Sequence, residues 1–310
     1  MRYYLYSAAL IVVAVLFVAL LPIFTTSAQD LLTELEVPKN NAAVAGIQKY
    51  NIPPISNNLP VPALSAKSIL VKDLGTGTVL YQKDSSIKLP VASTTKIMTA
   101  LVSSEYFSQN SPLTVGDSST IGGAVVGLKR GEVLSFRSVL YGMLLNSGND
   151  AAYTIAENYP GGVLSFVSAM NKKATELNLQ NTHFENPAGF DNPSHYSSAS
   201  DMARITEEAL KNPNLSKVFA TKETEVLSLD KKYKHDLKNL NKLLSQVVGV
   251  LGVKTGYTEA AKENLVTLID RDGRRVLIVV LGSDDRFGET TNLISWTYSN
   301  FNWPGLAQTQ

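Results

Sequence analysis

Ser93 and Lys96 stand three residues apart in the run LPVASTTKIMTAL, residues 89–101. If that run is helical the two side chains share a face, which sets a hydroxyl beside an amine. Pro90, Val91 and Ala92 precede the lysine, and Ile97, Met98 and Leu101 follow it. Apolar neighbours strip hydration from an ammonium and lower its pKa, so Lys96 could take a proton from Ser93 near neutral pH. The pair is then a nucleophile and its base. Taken alone, so loose a pattern reads more readily as an N-cap serine followed by a snorkelling surface lysine.

Two further stretches carry chemistry. In LLNSGND, residues 144–150, an apolar helix breaks and restarts, and Gly148 permits a turn that projects Ser147 and Asn149 off the helix end. By itself this is a polar interhelical turn. In GVKTGY, residues 252–257, a strand carries Lys254, Thr255, Gly256 and Tyr257. By itself this is an edge strand with a surface lysine.

Composition narrows the chemistry. The chain has 310 residues, 44% of them hydrophobic, enough for one large or two modest domains. It contains no cysteine, which excludes thiol catalysis, disulfides and cysteine-bound metal. His183, His195 and His235 form no HxH or HExxH pair, so no metal site is expected and each reads as an ordinary surface or hydrogen-bonding residue. A net charge of +1 gives no electrostatic argument for nucleic acid. No phosphate-binding glycine loop is present, and no cofactor is expected.

The elements that must position these residues follow from pattern. Residues 1–28 read as a signal peptide or an N-terminal membrane anchor, with Arg2 before a long apolar run and small residues near Ala28. Either reading exports the remainder. Residues 29–63, rich in Pro and Asn, read as a linker with at most a short helix around Leu31–Leu35. The folded domain is expected over 64–304, with a tail at 305–310. It opens with a hairpin of Ser65–Val71 and Thr78–Gln82 around Gly75-Thr76-Gly77. Helices are expected at Thr94–Tyr106, Phe136–Leu145, Ala151–Asn158, Val163–Leu177, Ser200–Leu210 (with Ser198 as its cap) and Thr290–Phe301. Strands are expected at Val247–Thr255, Glu263–Ile269 and Arg275–Leu281, the last two joined by the turn Asp270–Gly273. Strands at both ends with helices between them predict an α/β protein of the α+β type, one sheet of N- and C-terminal strands beside a helical subdomain.

SxxK, SxN and KTG in that order are the signature of penicillin-binding proteins and class A β-lactamases. The longer strings LPVASTTKIMTA, LYGMLLNSGNDAAYTIAE, NPAGFDNPSHYSSASDMARI and GVKTGYTEAA resemble the D-alanyl-D-alanine carboxypeptidases of the low-molecular-mass penicillin-binding group, over about residues 64–301. The resemblance implies a bacterial cell-envelope enzyme of β-lactamase/transpeptidase-like fold. Its implied substrate is the D-Ala-D-Ala end of a peptidoglycan stem peptide, and β-lactams would be its inhibitors. Ser93 would attack the penultimate carbonyl and Lys96 would take its proton, helped by burial and by the second cation Lys254. Ser147 would relay the proton to the leaving D-alanine, and Asn149 would hold the peptide amide and the Lys96 amine. The backbone N–H groups of Ser93 and Tyr257 would bind the oxyanion.

Lys254 and Thr255 would meet the terminal carboxylate, and aligning Trp296 with the family's last helix adds Arg286 as its guanidinium fork. Arg286 also reads as a loop arginine paired with Asp284 or Asp285. One departure stands out: the family usually has glycine after TEAA, where this chain has Lys262. Alternative activities are a DD-endopeptidase, a β-lactamase with Glu185 in the deacylating role, or a wall-binding pseudoenzyme without catalysis.

Overall fold

The computed structural model describes residues 49–305. Met1–Ala28 and the helix expected near Leu31–Leu35 lie outside the described residues. In chain order the elements are β1 (Ile55–Ser56), β2 (Ser68–Asp73), β3 (Val79–Lys83), a 3-10 turn (Ala92–Thr95) and α1 (Lys96–Tyr106). There follow β4 (Pro112–Thr114), β5 (Val133–Ser135), α2 (Phe136–Leu145), α3 (Asn149–Glu157), α4 (Gly162–Glu176), α5 (Ala199–Leu210) and α6 (Pro213–Ala220). The chain then forms β6 (Glu223–Leu227), β7 (Lys234–Lys238), α7 (Leu243–Gln246), β8 (Val250–Thr258), β9 (Lys262–Arg271), β10 (Arg274–Ser283), α8 (Arg286–Asn300) and β11 (Phe301–Asn302).

The sheet runs β3-β2-β10-β9-β8 and every neighbouring pair is antiparallel. N- and C-terminal strands do share it, as expected. Its central strands separate two cores because successive side chains point to opposite faces. Leu277, Val279 and Leu281 of β10 join the helical core with Val266 and Leu268 of β9. Val276, Ile278 and Val280 alternate with them and pack under α8 with Leu265 and Ile269. Within the helical core, α1 is buried from Lys96 to Ser103, with Ile97, Met98 and Ala100 fully enclosed. A helix buried over so much of its circumference holds its first turn rigidly, and that turn carries Lys96.

The structure corrects several boundaries. The helix expected from Thr94 begins at Lys96, with Ser93 in the 3-10 turn before it. The last helix begins at Arg286, where the Asp285 side chain accepts the Gly288 N–H. Ser198 caps α5 as expected, accepting the Asp201 N–H at 3.1 Å. The β4–β5 pair, the β6–β7 hairpin and α6 were not read from the sequence. The expected linker 29–63 is not wholly a tether, since β1 pairs with β11 and Trp296 donates to the Leu59 carbonyl. Tyr50 and Trp303 both donate to the buried Asp73 carboxylate. Prolines and asparagines hid this docking, because its hydrogen bonds come from the main chain and from distant residues.

Lys262, the departure from the family's glycine, sits at φ 56° where β8 turns into β9. The left-handed region costs a residue with a Cβ about 1–2 kcal/mol, and glycine gives back part of that in unfolded-chain entropy. Lys262→Gly should therefore raise stability by roughly 0.5–1 kcal/mol in urea denaturation. A loss of stability would contradict this reading of the turn.

Candidate active site

Three elements converge, as the motifs required. The 3-10 turn and α1 supply Ser93 and Lys96, the α2–α3 connection supplies Ser147 and Asn149, and β8 supplies Lys254, Thr255 and Gly256. The Lys96 amine lies 3.0 Å from Ser93 Oγ, 2.8 Å from Asn149 Oδ1 and 2.8 Å from the Ala188 carbonyl oxygen. Lys254 Nζ donates to Ser147 Oγ at 3.0 Å and to the Thr255 carbonyl at 3.0 Å. Asn149 Nδ2 donates to the Gly122 carbonyl at 2.9 Å, which fixes its Oδ1 toward Lys96.

Both lysines are buried, at 0% and 2% exposure, so neither is the surface charge that each motif alone permits. Burial holds the Lys96 pKa well below the ordinary lysine value, and the nearby Lys254 lowers it further against a smaller opposing pull from Asp150. Burial and then the Arg286 guanidinium push Lys254 down to about 7. Burial and the nearby Lys254 both favour the neutral amine over the ammonium at Lys96. Such an amine has two N–H donors and one lone pair. The Asn149 and Ala188 oxygens can only accept, so they take both donors. The lone pair is left for Ser93, whose hydroxyl donates into it.

Local backbone geometry sets up these contacts. Ala92, immediately before Ser93, has φ 46°, and Ser147 has φ 59°. Ser147 itself, and not the expected Gly148, takes the left-handed conformation that aims its hydroxyl at Lys254. Gly148 is needed for closeness instead: a Cβ there would lie 2.7 Å from Val126 Cγ2 and 3.1 Å from the Gly142 carbonyl. Gly256 plays the same part on β8, since a Cβ there would stand 3.1 Å from the Ser93 backbone nitrogen. The edge strand thus lies along the nucleophile's own N–H. Tyr257, next on β8, is 52% exposed and its hydroxyl donates to Glu259 at the rim.

Arg286 reaches the same place from the start of α8. Its Nη1 donates to the Gly256 carbonyl at 2.7 Å, and its Nε has no partner among the described residues. It does not pair with Asp284 or Asp285. Glu185 lies beside His183 at 3.4 Å, on the exposed side of its loop. His195 is no surface residue: it is 3% exposed, and burial first, then His183, lowers its pKa to about 4. His235 meets the buried Glu132 at 2.7 Å, 103 residues away in sequence. The site residues that sequence reasoning missed are those acting through the main chain, above all Ala188. The string NPAGF marked that segment only by resemblance.

An enclosed lysine facing a serine, a second lysine on a sheet edge and an antiparallel sheet beside a helical subdomain are what an active-serine acyl-transfer enzyme with an amine in place of histidine would require. Residues 56–285 match the family described as D-alanyl-D-alanine carboxypeptidase, and the chain belongs to that family. It is 37% identical over 249 residues to the D-alanyl-D-alanine carboxypeptidase DacF of Bacillus subtilis, covering 77% of this chain but only 64% of that protein. To the D-alanyl-D-alanine carboxypeptidase of Streptomyces sp. strain K15 it is 34% identical, covering 77% of this chain and 89% of the relative. The crystal structure of the Streptomyces K15 DD-transpeptidase superposes with a TM-score of 0.73 at 32% identity, over 78% of this chain and all of that one. The β-lactamase/transpeptidase-like fold expected from the motifs is therefore the fold observed.

If Ser93 is acylated with Lys96 as its base, the reaction needs Lys96 neutral and, for a substrate with a free carboxylate, Lys254 charged. The first condition is lost as pH falls through the depressed Lys96 value, and the second as pH rises through about 7. A bell-shaped kcat/KM profile follows, with its alkaline limb near 7. Arg286→Ala removes a like charge from beside Lys254, so that limb moves to higher pH. An unmoved limb would show that Arg286 does not act on Lys254.

Proposed function

We propose that the protein is an exported serine-type D-Ala-D-Ala carboxypeptidase that trims the terminal D-alanine from peptidoglycan stem peptides and is acylated by β-lactams. The observation that carries this reading is the Ser93–Lys96 contact at 3.0 Å with the amine's other two partners both carbonyl oxygens. Ser93 Oγ attacks the penultimate carbonyl as its proton passes to Lys96. The tetrahedral oxyanion is held by the N–H groups of Ser93 and Tyr257, where loss of one donor typically costs on the order of a hundredfold or more in rate. Collapse breaks the peptide bond as the proton held by Lys96 passes by way of Ser147, which Lys254 orients, to the leaving amine, and Lys96 is neutral again. Water then attacks the acyl-serine, its proton passing to Lys96 and from there to Ser93 Oγ as the acyl bond breaks.

The free carboxylate of the substrate is met by Lys254, Thr255 and Arg286. A cleft already holding two cations favours a terminal carboxylate over an internal peptide, which supports carboxypeptidase over endopeptidase action. The burial and hydrogen bonding of Lys96, Ser147, Asn149 and Lys254 support catalysis over a binding-only role. The N-terminal segment would place the domain outside the cytoplasm, either as a cleaved signal or as a retained anchor, and the mass of the mature protein distinguishes the two.

A synthetic pentapeptide ending in D-Ala-D-Ala should yield one free D-alanine and a tetrapeptide by mass spectrometry. Labelled penicillin should form an adduct at Ser93 that Ser93→Ala abolishes, and an adduct persisting in that variant overturns the assignment. Arg286→Ala should slow D-alanine release at least tenfold more than it slows penicillin labelling. Equal losses would remove Arg286 from carboxylate recognition.

A further inference from the structure

The Ala188 carbonyl is one of the two acceptors that direct the Lys96 lone pair, and a main-chain carbonyl is only as fixed as the loop that carries it. That loop, 185–190, has no regular secondary structure. Its order comes from Asn186, which is 9% exposed. The Asn186 Oδ1 accepts N–H bonds from Ala188 at 3.2 Å, Gly189 at 2.7 Å and Phe190 at 3.0 Å. Its Nδ2 donates back to the Phe190 carbonyl at 3.1 Å. One side-chain amide thus wraps four residues of backbone around itself, in the manner of an extended Asx turn.

The wrapped loop is pinned to the catalytic turn at three points. Thr99 of α1 donates to the Pro187 carbonyl at 2.7 Å, one helical turn beyond Lys96. Gly189, at φ 90°, lies so close to Ala92 that a Cβ would stand 1.9 Å from the Ala92 carbonyl oxygen. His195 completes the frame. Its Nδ1 accepts the Glu185 N–H at 3.1 Å, so the ring carries its proton on Nε2 and donates to Thr95 Oγ1 at 2.8 Å. The loop therefore touches Ala92, Thr95, Lys96 and Thr99, which bracket the nucleophile and its base.

We propose that Asn186 is a positioning residue for acylation: by folding residues 186–190 it holds the Ala188 carbonyl against the Lys96 amine, directing the lone pair at Ser93 and sealing the amine from water. This rests on the reading of Ser93 as nucleophile and Lys96 as base. The charged and titratable groups facing Lys96 are Lys254 on β8 and Asp150 on α3, with His195 behind Thr95. None belongs to the loop, so the loop's influence on Lys96 is through the carbonyl and through exclusion of solvent.

The test compares penicillin acylation rates from pH 5 to 10 for the wild type, Asn186→Leu and Asn186→Asp, each scaled to its folded fraction by circular dichroism. The wild-type adduct is first located at Ser93 by mass spectrometry, which checks the underlying reading separately. Asn186→Leu keeps the size but offers no acceptor, so acylation should fall at least tenfold at every pH. Its acid limb should also move to higher pH as water reaches Lys96. Asn186→Asp keeps an acceptor for all three N–H groups, so at its own pH optimum it should return to within about threefold of the wild type. If Asn186→Leu does not fold, Asn186→Ser, whose shorter hydroxyl cannot span all three N–H groups, replaces it and should show the same loss. The proposal is overturned if the folded acceptor-less variant acylates at the wild-type rate with an unmoved acid limb. Equal losses in the Leu and Asp variants at all pH values would overturn it as well.

Discussion

The structure depends on an amine enclosed in protein without an acidic partner in contact. Lys96 makes no ion pair among the described residues, and the charge that acts on it most is another lysine, Lys254, ahead of the opposing Asp150. A buried ammonium in that setting is costly, and giving up the proton relieves the cost. What remains is a nitrogen whose two hydrogens are taken by carbonyl oxygens and whose lone pair faces a serine. Basicity and direction have different origins here. Burial and like charge set the first, and the Asn149 and Ala188 oxygens set the second.

Enclosing that amine explains several features that would otherwise look like isolated strains. The edge strand β8 must lie against the nucleophile, which leaves no room for a side chain at residue 256. The α2–α3 connection must bring a hydroxyl under Lys254 and an amide beside Lys96 within three residues, and Ser147 takes a left-handed conformation to do so. Unfavourable backbone conformations of this kind cost about 1–3 kcal/mol each and persist only where surrounding structure over-determines them. Here the helical core on one side and the sheet on the other supply that constraint. Arg286 adds the remaining element, a cation on the Gly256 carbonyl that adds to burial in lowering the Lys254 pKa.

Much of this was legible in the chain because side chains advertise chemistry. Ser93 and Lys96 were paired from type and spacing, Ser147, Asn149 and Lys254 joined them through the family resemblance, and the structure gathers all five at one place. The three-residue interval between Ser93 and Lys96 works even though the helix starts later than expected, because a 3-10 turn also brings residues three apart together. Arg286 could be placed only by counting from Trp296, since a loop's length does not reveal where its arginine will point. The Ala188 carbonyl was illegible for a deeper reason: every residue has one, so nothing in the sequence distinguishes a carbonyl that binds an amine. Asn186, which folds that carbonyl's loop, stood unremarked inside the string NPAGF, and His195 read as an ordinary surface or hydrogen-bonding histidine. Docking of residues 50–59 was likewise hidden, because the partners Asp73, Asn300 and Asn302 are remote in sequence.

The protonation state of Lys96 in the free enzyme is the quantity on which this account turns, and lysine-selective carbon and nitrogen NMR reads it directly. Labelled at Cε and Nζ and titrated from pH 5 to 11, the protein should show one lysine that is already a neutral amine at pH 7 and is missing from the spectrum of Lys96→Arg. If the resonance assigned to Lys96 remains that of an ammonium until pH approaches about 10, like an ordinary exposed lysine, the serine has no base and the account is wrong.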